Sequence, residues 1–193
     1  TPEHAINCYL GTNIDYLYFR ESGVLVSKSE KETLDLDKLN DLVKLEVTGI
    51  DNPKFKIMKP GVKQHLDRDY TYDVIPSELE GGYLYQPVHR VPENTKISFD
   101  VKEPTDIYVF FHNTCDGMFT DTFQEMKDWE LCSSAPQYDT QNSNGHGLKM
   151  LMYKLEAQPG NYDLPTVQFN QEHKSMLCFN IVFKPHSEFK GDK

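Results

Sequence analysis

The sequence predicts an all-β protein: a single jelly-roll-like antiparallel β-sandwich with one short helix, spanning 1–193 as one domain. Short runs of aromatic and β-branched residues recur from end to end, and Gly, Pro, Asn and Asp separate them. A chain of 193 residues is also long enough to bury one sizeable core.

The first pair, "YLYFR" (16–20) and "VLVSK" (24–28), reads as a hairpin closed at "RESGVL". Further strands follow at "VKLEVTG" (43–49), "KFKIM" (54–58), "KISFDV" (96–101) and "DIYVFFH" (106–112). "LKMLMYKLE" (148–156), "TVQFN" (166–170) and "MLCFNIVFK" (176–184) complete the set. In "KISFDV" the residues Ile97, Phe99 and Val101 alternate with polar ones, so one face is wet. In "DIYVFFH" both alternating sets are apolar, so that strand is central or its second face is covered. "VKLEVTGIDNPKFKIM" and "KISFDVKEPTDIYVFF" echo each other as two similar hairpins.

"KETLDLDKLNDLV" fits a helix or a strand. "TDTFQEMKDWEL" carries the short helix: Thr122 and Glu125 form a capping box, and Phe119, Phe123 and Met126 fall on one face. "SSAPQYDTQNSNGHG" (133–147) is polar and turn-rich, and reads as a long exposed loop.

With a formal net charge of −10, attraction to a polyanion would have to come from a local basic patch, and the sequence shows none, so nucleic acid and anionic membranes are not expected as partners. No apolar run approaches the roughly 18 residues of a membrane span, so no membrane insertion is expected. The start at Thr1 reads as a mature or trimmed product. The cysteines Cys8, Cys115, Cys132 and Cys178 contain no C-x-x-C pair, which argues against a metal finger. The strand order favours disulfides Cys115–Cys132 and Cys8–Cys178 and an oxidising compartment; four buried free thiols are the alternative.

No G-x-S-x-G, H-E-x-x-H, Walker or dinucleotide motif is present. His112 and Cys115 in "HNTCDG" are too loosely related to make a nucleophile and its base.

Residues 61–112, "GVKQHLDRDYTYDVIPSELEGGYLYQP" followed by "ISFDVKEPTDIYVFF", carry a "DRDY" strand, a P-x-x-L-x-G turn at Pro76, Leu79 and Gly81, and a further element with Pro104 and Tyr108. In this order they resemble the galactose-binding-like (jelly-roll) β-sandwich modules that accompany carbohydrate-active proteins, and the likeness extends partially over 61–165. The glycine-rich ending of such modules is replaced by "PGNYDLP", and 1–60 has no counterpart.

The resemblance implies a non-catalytic, secreted or cell-surface binding module whose partner is a protein, in adhesion or assembly, or a glycan. A carbohydrate-active enzyme, glycoside hydrolase or lyase, or its accessory domain is the alternative. Recognition is expected at the sandwich end that bears "HNTCDGMF" and the 133–147 loop, through His112, Asp116, Trp129, Tyr138 and His146. Trp129 is either a core anchor or an aromatic platform. Asp67, Asp69 and Asp73 are paired or solvated at a strand edge, with Arg68 on a neighbouring acid, or they hold a structural calcium ion, as is common in this class. No other cofactor is expected.

Overall fold

The computed structural model describes residues 5, 16–20, 22–27, 34–92, 94–112, 128–140, 148–165, 169–170, 175–176 and 179–186. Contacts divide the chain into two compact units, 1–33 and 34–193. In the first, β1 (Tyr16–Phe19) and β2 (Val24–Ser27) pair antiparallel as the expected hairpin, with Gly23 at φ 67° in the turn.

The unit 34–193 opens with α1 (Leu36–Leu42). Asp35 caps it by accepting a hydrogen bond from the Lys38 N–H at 3.1 Å, and Leu39 and Leu42 form its buried stripe. The chain then turns extended into β3 (Val43–Val47), which buries alternate residues. Cap, stripe and strand explain why this segment fits both patterns: it contains both. Among the described residues of this unit, the short α-helix is here. The last residues of the helix expected at 120–131 are extended instead, as β9 (Glu130–Leu131), and 113–127 lie outside the described residues.

The remaining strands are β4 (Phe55–Ile57), β5 (Thr71–Val74), β6 (Tyr83–Tyr85), β7 (Ile97–Val101), β8 (Thr105–His112) and β10 (Gln137–Asp139), then β11 (Leu148–Ala157), β12 (Gly160–Asp163), β13 (Phe169–Asn170), β14 (Ser175–Met176) and β15 (Asn180–Pro185). One sheet has the order β12-β7-β3, and the larger has the order β4-β6-β15-β8-β11-β10-β5 with β9 also on β11. β13 and β14 pair with each other, and all pairings are antiparallel. This is the expected antiparallel sandwich. The two echoing segments are not hairpins. β3 and β7 pair with each other in the smaller sheet, while the strands that follow them, β4 and β8, both belong to the larger, so each segment is a corner between sheets.

β8 is central and buried along both faces. Ile107, Val109 and Phe111 join the main core with Leu45, Phe99, Ile181 and Phe183. Tyr108 and Phe110 belong to a second core with Met150, Met152 and Val182, covered by Met58, Tyr72, Leu79 and Leu84. The cover comes largely from 58–87, whose mixture of charge and tyrosine thereby acquires a reason. Tyr72 is fully buried, its edge on the Phe110 ring and its hydroxyl donating to Asn180 Oδ1 at 2.9 Å, while Asp67, Arg68, Asp69 and Asp73 stay outside. Gly81 takes φ 77° at the end of the 3-10 turn Ser77–Leu79. Gly82 lets the chain pass close to β15, since a Cβ there would meet Val182 Cγ1 at 2.5 Å.

Candidate functional site

β9, β11 and β12 surround a concavity of about 500 Å³. Asp128, Glu130, Lys154, Leu155, Glu156, Gln158 and Tyr162 line it. The strand period sets Lys154 and Glu156 on one face of β11, and Glu130 faces Lys154 across the β9–β11 pair. Tyr162 is held from two sides. Its ring stacks on Phe99 at 5.7 Å, and its hydroxyl donates to the Gln158 carbonyl at 2.9 Å while accepting from the Gln158 N–H at 3.1 Å. These contacts fix Tyr162 in the wall, which is polar except at Leu155 and the Tyr162 ring.

An ion-pair network built around the buried Asp106 adjoins this wall. Register places Asp106 opposite Glu156 on β11 and opposite Lys184 on β15. Asp106 Oδ1 lies 2.6 Å from His186 Nδ1, and Lys154 Nζ lies 3.4 Å from Asp106 Oδ2 and 2.6 Å from Glu156 Oε1. Burial pulls the Lys154 pKa down, but the hydrogen bond to Glu156 and the nearby Asp106 charge outweigh it and leave it raised. The Lys154 hydrogen bond and charge hold Glu156 below the usual carboxylate range, so at neutral pH Glu156 is ionised and is no proton donor. Ligand atoms of Asp106, Glu156 and His186 lie within 4.8 Å of one another, close enough for a metal ion. The Lys154 ammonium already sits on both carboxylates, however, and supplies the positive charge a cation would bring.

A second constellation lies where β8 ends. The His112 ring stacks on Tyr138 with centroids 4.2 Å apart and planes 10° from parallel, and its Nε2 lies 3.2 Å from Gln64 Oε1. His65 packs edge-on against His89 at 5.0 Å, Tyr70 at 6.1 Å and His112 at 6.3 Å. Asp67 Oδ1 accepts from the His89 backbone N–H at 2.7 Å and fixes that segment. Burial, reinforced by the neighbouring histidines, pushes His65 down to about 3 and His112 down to about 4; burial also lowers His89.

Of the expected recognition residues, His112 and Tyr138 are brought together, in a buried stack. Trp129 packs partly buried against the main core, between Asp128 and Glu130 of the concavity. Asp116 and His146 lie outside the described residues. The exposed loop expected over 133–147 is corrected at 137–139, which form β10 between β11 and β5, with Tyr138 only 6% exposed. One inward residue in a three-residue strand leaves no period to read.

Asp67, Asp69 and Asp73 do not converge. Asp67 takes the His89 N–H and lies 3.7 Å from Arg68, whereas Asp69 pairs with Lys63 at 2.6 Å. The three are not among the groups of the described residues whose ligand atoms lie within 4.8 Å of one another. Cys132 carries a free thiol whose nearest polar partner is the Glu130 carbonyl at 3.9 Å; Cys8, Cys115 and Cys178 lie outside the described residues.

The concavity residues Glu130, Lys154, Glu156, Gln158 and Tyr162, and the histidines His65 and His89, were missed. The alternation of "KLE" in β11 marks Lys154 and Glu156 as one polar face. Nothing in sequence brings His65, His89 and His112 together, because only the pairing of the sheet does.

No protein-family model and no curated protein matches the chain. Among solved structures, a β-glucuronidase from glycoside hydrolase family 2 is similar with a TM-score of 0.52 and 16% identity. The similarity covers 74% of this chain and 14% of that one. It bears out the sandwich architecture, and this chain corresponds to a small part of the enzyme's length.

Proposed function

We propose that the unit 34–193 is a non-catalytic carbohydrate-recognition module and that the concavity between β9, β11 and β12 is its binding site. The lining carries the reading. Carboxylates, an amide and an ammonium converge with a fixed tyrosine in about 500 Å³, within the range of about 300–1,000 Å³ of small-molecule sites. Such groups hydrogen-bond vicinal hydroxyls, and an aromatic ring offers a surface to the C–H face of a sugar. Three carboxylates against one ammonium repel an anionic ligand, so the substrate class is a neutral or amino sugar and not a uronate. The likeness to part of a glycosidase fits an accessory role, and a secreted or cell-surface location goes with it.

Lys154 holds Glu156 ionised, so Glu156 itself does not supply the proton of a glycosidase's general acid. A panel of neutral, amino and uronic oligosaccharides tests the reading. Binding of a neutral or amino member, weakened by about 1 kcal/mol or more in Gln158→Ala or Glu130→Gln, supports it. Preference for uronates, or binding unchanged in both variants, contradicts it.

A further inference from the structure

We propose that His65, His89 and His112 are the ligands of a transition-metal ion of the zinc type, bound at the opposite end of β8 from the Asp106 network. Three of the seven histidines, from separate segments, meet here, and imidazole is the commonest protein ligand of such ions. A zinc ion about 2.0–2.1 Å from each nitrogen holds two imidazole centres roughly 5–6 Å apart. The centres here are 5.0 Å apart for His65 and His89 and 6.3 Å for His65 and His112.

The independent sign is an unmet demand. His65 is 2% exposed and neither ring nitrogen has a partner; His89 Nδ1 is likewise buried and unpartnered. A neutral imidazole carries one N–H and one lone pair, and burying both without partners forfeits their hydration for nothing. Native proteins seldom leave such groups bare, and an ion is one of the few explanations when they occur together.

His112 supplies the third sign. The Gln64 carbonyl oxygen accepts from His112 Nε2, which fixes the N–H there and leaves the Nδ1 lone pair for a ligand. Among the described residues only Asp106, Glu156 and His186 already place their ligand atoms within 4.8 Å of one another, so closing the histidine site takes a rearrangement of the imidazole rings, the 6.3 Å between His65 and His112 included. A buried water would meet the same nitrogens, and it is the outcome that overturns the proposal.

Untagged, chelator-stripped protein is titrated with zinc chloride by calorimetry and with cobalt(II) by absorption spectroscopy. One equivalent is expected to bind, with His65→Gln and His89→Ala each weakening it at least tenfold. Gln64→Ala is expected to weaken it about 10–100-fold through the His112 ring, and His186→Gln to leave it unchanged. Circular dichroism checks each fold, and the half-buried His89→Ala decides the question if His65→Gln does not fold. Absence of binding by the stripped wild type, or wild-type affinity in His89→Ala, overturns the proposal.

Discussion

His112, the last residue of β8, lies flat on Tyr138 of β10, with ring centroids 4.2 Å apart and planes 10° from parallel. This stack ties the central strand to the outer part of the larger sheet and makes Tyr138 a packing residue, with 6% of its surface exposed. Tyr138→Ala is therefore expected to destabilise the fold by about 3 kcal/mol or more, as deletion of a buried aromatic ring does. Denaturant unfolding measures it. A loss below about 0.5 kcal/mol, the level of an ordinary surface substitution, would show the stack to be dispensable.

The histidine cluster makes stability depend on pH. The fold holds His65 near 3 and His112 near 4, whereas the unfolded chain returns them to about 6.5. Between these values the unfolded chain binds more protons, so the stabilisation is full above about pH 6.5 and is lost as pH falls toward 4 and 3. Asp67 opposes this trend at His65 and His89, and Arg68 adds to it. Each unit is about 1.4 kcal/mol, so unfolding free energies at pH 7.5 and 5, with chelator present, should differ by about 2 kcal/mol or more. A flat profile over that range would mean that the rings are hydrated in the fold.

Gly82 is a close-approach glycine, not a flexible one. A Cβ there would meet Val182 Cγ1 at 2.5 Å, Leu79 O at 3.1 Å and Phe183 O at 3.3 Å. Gly82→Ala should cost about 1–3 kcal/mol in overpacking, while Gly61→Ala, where nothing lies within 4 Å, pays only for its φ of 79°. Thermal melts of the two variants compare them. Equal melting temperatures would contradict the contact.

Cys132 is a free thiol whose pKa burial raises from 9.0 to about 11, with the Glu78 charge adding to the effect. That shift leaves about a hundredfold less thiolate at pH 8, so folded protein should alkylate slowly at this position and unfolded protein quickly. Peptide mass mapping after brief iodoacetamide treatment reads the difference. Cys132 recovered in a disulfide, or alkylated equally fast in both states, would contradict the half-buried free thiol.

The sandwich was legible because its long strands carry clear periods. Ile97, Phe99 and Val101 alternate in β7, and the two apolar sets of β8 announce a strand covered on both faces, as the two cores confirm. Short elements hid: β9 has two residues and β10 has one inward side chain, so neither offers a period. The site was less legible for a different reason. His112 and Tyr138 were recognised singly, but His65 and His89 join them only through sheet register and the segments before β5 and after β6. The concavity is assembled from β9, β11 and β12, with its acids drawn from a chain of 30 acidic residues in which no spacing distinguishes them.

The recognition site is tested most directly by following backbone amide resonances of the isotopically labelled protein during titration with a neutral oligosaccharide selected by the panel. Saturable shifts are expected, concentrated at Glu130, Lys154, Glu156, Gln158 and Tyr162 around the concavity. Shifts centred instead on His112 and Tyr138, with the β9, β11 and β12 amides unmoved, would contradict it.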